Sequence, residues 1–145
     1  METPLGVVER AYKAWEDGDI VEALCALDPE VRLHREDGLP QRGEYVGRDA
    51  VAEVFREVMG DWMWLEVKPV RFSAVGPIVA VVGSYEGCGN ATGFRFHDRF
   101  VHLWAMEGGR GVWVGAFRTP VEALRALDGQ LGDLPAHLPK STIVS

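Results

Sequence analysis

The chain has 145 residues, the size of a single domain and enough to bury one sizeable core. Acidic residues outnumber basic ones by 22 to 15, so the formal charge is −7. That sign argues against nucleic acid or an anionic membrane surface as the partner, because both are bound through positive charge. Hydrophobic residues make up 47% of the chain, as in ordinary soluble globular proteins.

The first residues lack the basic stretch and apolar segment of a secretory signal. The longest apolar runs fall well short of the roughly 20 residues of a transmembrane helix. Cys25 and Cys88, the two cysteines, form neither a Cys-x-x-Cys pair nor a metal-ligand spacing. We therefore expect a cytoplasmic protein with two buried, reduced thiols, no metal and no cofactor.

Helical periodicity dominates the first part of the chain. Thr3 and Pro4 are typical of a helix start, and Gly18 ends that helix. Asp19 opens a second helix, which Asp28-Pro29 closes. The elements predicted for this part are helices over 4–17, 20–27 and 49–60, a short strand over 31–34 and a loop over 36–47.

Strand-type patterns dominate the remainder. Residues 65–72, 78–86, 92–106 and 112–117 are rich in β-branched and aromatic residues and are separated by Gly or Pro turns. Pro69 restricts its strand to a sheet edge or a bulge. Thr119 caps a short final helix that reaches residues 128–129.

The predicted order is α-α-β-α-β-β-β-β-α, which indicates an α+β domain with helices on one face of a curved sheet. Residues 1–129 form this domain. Residues 130–145, with two prolines and little periodicity, are expected to be a loosely ordered tail or an arm on a neighbouring subunit.

Several motifs resemble the SnoaL-like proteins, which belong to the superfamily of nuclear transport factor, ketosteroid isomerase and polyketide cyclases. The motifs are Gly18-Asp19-Ile20 after the first helix, Leu27-Asp28-Pro29, Gly38-Leu39-Pro40, Gly43-Glu44-Tyr45-Val46-Gly47, and Thr92-Gly93 followed by Phe100-Val101-His102-Leu103-Trp104. The resemblance covers roughly residues 5–128. It implies a cone in which three N-terminal helices pack into a strongly curved, mostly antiparallel sheet. It also implies a homodimer through the sheet and a deep apolar pocket for small ligands.

The resemblance also suggests two candidate catalytic residues. His34 falls where ketosteroid isomerase has its aspartate base, and His102 where that enzyme has a protonated aspartate in its oxyanion hole. An imidazole can take or give a proton near neutral pH. Strand parity allows both rings to point into one cavity. The alternative is that His102 is a hydrogen-bonded core histidine and His34 lies at a wet rim.

Two positions depart from the family pattern. SnoaL-type cyclases use an aspartate just before the closing helix, where this chain has Thr119, which we interpret as a helix cap. The first-helix tyrosine of ketosteroid isomerase has only an offset counterpart, Tyr12.

We interpret Asp37, Glu44, Glu66 and Glu86 as solvated surface groups. The side chains expected to line a ligand pocket are Tyr12, Trp15, Phe55, Trp62, Tyr85, Trp104, Trp113 and Phe117.

The sequence therefore favours an enzyme that binds a hydrophobic, cyclic or polyketide-like small molecule and performs acid–base chemistry. Cyclisation and isomerisation are preferred over epoxide hydrolysis. A carrier that binds an apolar ligand without converting it is one alternative, and a purely structural dimer is another.

Overall fold

The computed structural model describes residues 2–130, with side chains described as far as residue 128. The helices are α1 (Pro4–Glu16), α2 (Ile20–Leu24), α3 (Arg48–Gly60) and α4 (Pro120–Gln130). The strands are β1 (Leu27–Arg35), β2 (Gly43–Val46), β3 (Trp62–Val75), β4 (Ile78–Gly89), β5 (Arg95–Glu107) and β6 (Arg110–Phe117).

The six strands form one curved sheet in the order β2-β1-β6-β5-β4-β3. β1 and β6 run parallel, and the other neighbours are antiparallel. The predicted α+β class, with helices against a mostly antiparallel sheet, is confirmed. The predicted tail lies outside the described residues except for Gln130, the last residue of α4.

Most element signals in the sequence are confirmed. Thr3 Oγ1 accepts the Gly6 amide at 3.0 Å, and Asp19 Oδ1 accepts the Glu22 amide at 3.1 Å. Pro69 was predicted to lie in an edge strand or at a bulge, and it does both. β3 is an edge strand, and its pairing with β4 shifts register between Pro69 and Arg71. Gly108 and Gly109 have φ of 59° and 78° and make the turn between β5 and β6.

The predicted loop over residues 36–47 is wrong in part, because Gly43–Val46 is strand β2 and pairs with β1. None of its four residues is fully buried, so it lacks the alternation of apolar residues that marks a half-buried strand. The second helix is also shorter than expected. It ends at Leu24, and Asp28-Pro29 lies inside β1 rather than at a helix end.

Apolar side chains pack on both faces of the sheet. The inner face carries the larger core, a cluster that includes Val8 of α1, Val51 of α3 and strand residues such as Val81 and Phe100. On the outer face, α4 places Ala123 and Leu127 over Leu103, Trp113 and Phe117. The homodimer through the sheet stays a prediction.

Both cysteines are free, but they are not buried as expected. Cys25 is exposed just after α2, and Cys88 is half-buried near the end of β4. The short α2 explains the first error, because its five residues include none that is buried. No helix within residues 2–130 is long and apolar enough to cross a membrane.

Thr119 has the structural role expected of it, since its Oγ1 accepts the Glu122 amide at 3.2 Å at the start of α4. We expect Thr119→Ala to lower the free energy of unfolding by about 1 kcal/mol, because the first turn of α4 loses its cap. Urea denaturation measures the change. Thr119→Ser retains the acceptor and serves as the control, and equal loss in both variants would contradict the capping role.

Candidate functional site

A cavity of about 140 Å³ lies between the inner face of the sheet and helices α1 and α3. Most of its wall is aliphatic or aromatic. The side chains with polar groups in the wall are those of Tyr12, Trp15, Arg35, Asp37, Tyr85, His102 and Trp104. Its volume is close to the roughly 150 Å³ of an engineered apolar cavity that accepts benzene.

Strand alternation brings these polar groups to the cavity from different elements. On β5, Phe100, His102 and Trp104 share the inner face. On β4, Tyr85 lies on the same face and has its ring 5.8 Å from the His102 ring. Helix α1 supplies Tyr12, whose ring stacks on His102 at 5.9 Å.

The polar groups form one continuous chain of hydrogen bonds. The Tyr12 hydroxyl lies 2.6 Å from His102 Nδ1, and the Tyr85 hydroxyl lies 2.6 Å from His102 Nε2. At one end, Trp104 Nε1–H donates to the Tyr12 hydroxyl oxygen at 3.1 Å. At the other end, the Tyr85 hydroxyl donates to Asp37 Oδ2 at 2.7 Å.

The two ends fix the direction of this chain. An indole N–H can only donate, and a carboxylate can only accept. Because Tyr85 gives its hydrogen to Asp37, its oxygen accepts from His102 Nε2–H. His102 Nδ1 is then a lone pair that accepts the hydrogen of Tyr12. His102 is thereby assigned as the neutral Nε2–H tautomer.

Asp37 is held by a buried ion pair. Arg35 Nη2 lies 2.9 Å from Asp37 Oδ1, and the two side chains are only 5% and 1% exposed. The Leu39 amide donates to the same oxygen at 3.3 Å. Arg35 thus supplies the positive charge that a buried carboxylate needs.

Burial keeps the three middle groups of the hydrogen-bond chain, Tyr12, His102 and Tyr85, uncharged. It lowers the pKa of His102 to about 4, while the charge of Asp37 acts in the opposite direction. Burial also raises the pKa of the Tyr12 hydroxyl above its ordinary value, and burial together with Asp37 does the same for Tyr85. At neutral pH the imidazole and both phenols are therefore neutral.

His34 lies elsewhere, and the expectation that both imidazoles point into one cavity is wrong. The inward residues of β1 are Val31, Leu33 and Arg35, so His34 is on the opposite face. Its ring packs 5.6 Å from Phe117, and its nitrogens lie 2.8 Å from Glu36 and 3.2 Å from Glu44. The parity was assigned correctly, but the apolar side of β1 is the side that faces the cavity.

The structure places some of the eight aromatic residues that were expected to line the pocket in the cavity wall, and others elsewhere. Five of the eight residues line the cavity: Tyr12, Trp15, Phe55, Tyr85 and Trp104. Trp113 and Phe117 belong to the outer core under α4, which corrects their assignment to the pocket. Trp62 is the first residue of β3, and its ring packs against Phe96 at 5.2 Å, outside the cavity wall, which corrects its assignment to the pocket.

Arg35 and Asp37 are the site residues that the sequence reasoning missed. Asp37 was interpreted as solvated, yet it is 3% exposed. A signal was present in the sequence, because Arg35 and Asp37 stand in phase, with a period of two, with the apolar residues Val31, Leu33 and Leu39. Two opposite charges in phase with a buried strand pattern indicate a buried ion pair.

No three histidine, cysteine or carboxylate side chains within residues 2–130 lie close enough together to hold a metal ion. His97 is exposed on β5 and Asp98 pairs with Arg118 at 3.2 Å, whereas His102 faces the cavity.

The direction of the hydrogen bonds predicts the protonation state of His102. We expect ¹⁵N NMR of the imidazoles to show His102 as the Nε2–H tautomer. Asp37→Asn should change it to Nδ1–H, because an amide N–H can donate to Tyr85, which then donates to His102. Glu44→Gln, whose side chain hydrogen-bonds His34 rather than His102, is the control. An unchanged His102 spectrum in Asp37→Asn would contradict this assignment.

The lowered pKa of His102 also predicts a pH dependence of stability. Between about pH 4 and 6.5 the unfolded imidazole binds a proton that the folded one does not. The free energy of unfolding should therefore fall as the pH falls through this window, by on the order of 3 kcal/mol. Urea denaturation at several pH values should show this slope in the wild type and in His97→Gln, but reduced in His102→Gln. An equal slope in all three would contradict the prediction.

Comparison with known proteins agrees with the fold. The family model of the SnoaL-like domain matches residues 8–114. An NTF2-like protein of Burkholderia thailandensis E264 is 26% identical, with a TM-score of 0.77 over 88% of this chain and 98% of that one. An NTF2-like protein of unknown function from Burkholderia pseudomallei K96243 is 27% identical, with a TM-score of 0.74 over 86% of this chain and 97% of that one.

TerC, crystallised with polyporic acid, is 22% identical, with a TM-score of 0.71 over 87% of this chain and 99% of that one, and shares the fold. No curated protein has significant sequence similarity to this chain. Because the SnoaL-like model covers more than half of the sequence, the chain belongs to the SnoaL-like family.

Proposed function

We propose that this protein is an enzyme that moves a proton on a small, largely apolar ring compound, in an isomerase or cyclase type of reaction. One observation carries the proposal. A hydrogen-bonded chain of two phenols, one imidazole and one carboxylate runs along the wall of an otherwise apolar cavity. Such a chain can accept a proton at one end and store it at the other.

Tyr12 is the group that we place next to the ligand. Its oxygen donates to His102 and accepts from Trp104, so one lone pair remains for a ligand atom. Tyr12 is half-buried and lines the cavity, whereas both nitrogens of His102 are already occupied by phenols. His102 therefore acts through Tyr12.

The proposed step conserves atoms and charge. The C–H bond next to a ligand carbonyl breaks, its proton goes to the Tyr12 oxygen, and the electron pair moves to the carbonyl oxygen as an enolate. Tyr12 passes its own hydrogen to His102 Nδ1, and His102 passes its Nε2 hydrogen to Tyr85. Tyr85 protonates Asp37 Oδ2, so the negative charge leaves Asp37 as it appears on the ligand. No tyrosinate or imidazolium is required at any stage.

The volume of the cavity limits the size of ligand that can bind. Volumes of roughly 300–1,000 Å³ are usual for sites that hold drug-sized molecules. The 140 Å³ found here suits a single ring better than the fused rings of a polyketide product. A carrier without turnover would use the same cavity, so the decisive measurement is proton exchange rather than affinity.

Cyclohexanone in D₂O tests the proposal, with exchange of its α-hydrogens followed by ¹H NMR. The wild type should accelerate exchange, and Tyr12→Phe should reduce the acceleration by at least about 100-fold, because the relay loses its contact with the ligand. Cyclohexanone affinity should change only a few-fold.

Tyr45→Phe is the matched control, because it also removes one phenol hydroxyl, which donates to the Gln41 carbonyl outside the cavity wall. Circular dichroism checks that both variants are folded. A wild type that binds cyclohexanone without accelerating exchange would contradict the enzyme and favour the carrier.

A further inference from the structure

We infer that Arg35 is a ligand-binding residue, and that its guanidinium donates a hydrogen bond to an uncharged oxygen acceptor of the ligand, such as a ketone carbonyl. The inference rests on the proposed function in one respect, namely that a small ligand occupies the cavity. It adds the polar group that this ligand carries and the side chain that recognises it.

The hydrogen bonds of Arg35 are incomplete. A guanidinium has five N–H donors. Among residues 2–130, the Arg35 side chain makes one hydrogen bond, from Nη2 to Asp37 Oδ1. Yet Arg35 is only 4% exposed. A buried polar group that lacks partners indicates a missing one, either water or a ligand.

The unpaired N–H groups open into accessible space. In the described part of the chain, the fully enclosed side-chain polar atoms without a partner are Gln41 Oε1 and Trp62 Nε1, and none belongs to Arg35. Because Arg35 lines the cavity and is otherwise buried, the accessible space next to its guanidinium is the cavity. A ligand there can meet donors that the protein leaves free.

Charge favours an uncharged acceptor over a carboxylate. The charged residues in the cavity wall are Arg35 and Asp37, and they already neutralise each other. His102 is neutral, since burial lowers its pKa. A ligand carboxylate would add an unpaired negative charge in an apolar site, which is unfavourable. A carbonyl oxygen accepts the same hydrogen bond without that cost.

Three ring compounds of similar size test the inference on wild-type protein. Cyclohexanone carries the acceptor, methylenecyclohexane replaces its oxygen with carbon, and cyclohexanecarboxylate adds a charge. We expect cyclohexanone to bind at least about tenfold more tightly than either of the others. In ¹⁵N-arginine-labelled protein, cyclohexanone should shift the Arg35 Nε–H signal, and methylenecyclohexane should not. Equal affinities, tighter binding of the carboxylate or an unshifted Arg35 signal would each overturn the inference.

A variant provides a second readout. Arg35→Lys keeps the positive charge beside Asp37 but loses the planar set of donors. It should lose the preference for cyclohexanone over methylenecyclohexane, and loss of one signal assigns Arg35 in the NMR spectrum. Arg118→Lys, at the surface ion pair with Asp98, should keep the preference. If Arg35→Lys does not fold, the wild-type ligand series still decides.

The same samples separate this inference from the proposed function. Cyclohexanone that shifts Arg35 without faster α-hydrogen exchange would support the binding site and contradict the enzyme. Faster exchange with an unshifted Arg35 signal would support the enzyme and overturn the role of Arg35.

Discussion

The buried ion pair between Arg35 and Asp37 is the interaction on which the rest of the site depends. Asp37 stays a pure acceptor because Arg35 and the Leu39 amide hold one of its oxygens. Asp37 can only accept at one end of the hydrogen-bond chain, and the Trp104 indole can only donate at the other end. Every hydrogen bond between them therefore has one direction. Removal of either charge would leave the other unpaired in the interior, which typically costs 3–5 kcal/mol.

The fold itself follows largely from local sequence signals, and the site does not. Thr3, Asp19 and Thr119 are caps that sequence spacing identifies, and the Gly108-Gly109 turn needs no tertiary information. These signals act within a few residues. The site depends on contacts across long separations, such as Tyr12 with His102, which are 90 residues apart.

His34 and Asp37 show why sequence reasoning failed at the site. Alternation tells which residues of a strand share a face, but it does not tell which face is enclosed. The resemblance to ketosteroid isomerase placed His34 in the cavity, and its alternation with apolar residues allowed that position. The cavity is instead lined by those apolar residues. Asp37 was assigned to solvent by its residue type, although its position in the alternation was that of a core residue.

The outer core explains how the domain can keep a cavity at its centre. A cavity of about 140 Å³ lowers stability, because the side chains that line it give up packing contacts with one another. Helix α4 buries Leu103, Trp113 and Phe117 on the opposite face, which adds apolar burial that the inner face need not supply. A ring-sized ligand would recover part of the cavity cost through contacts with Leu33, Val51 and Phe55. Ligand binding and folding stability are therefore coupled in this domain, so a ligand that fills the cavity should also raise the free energy of unfolding.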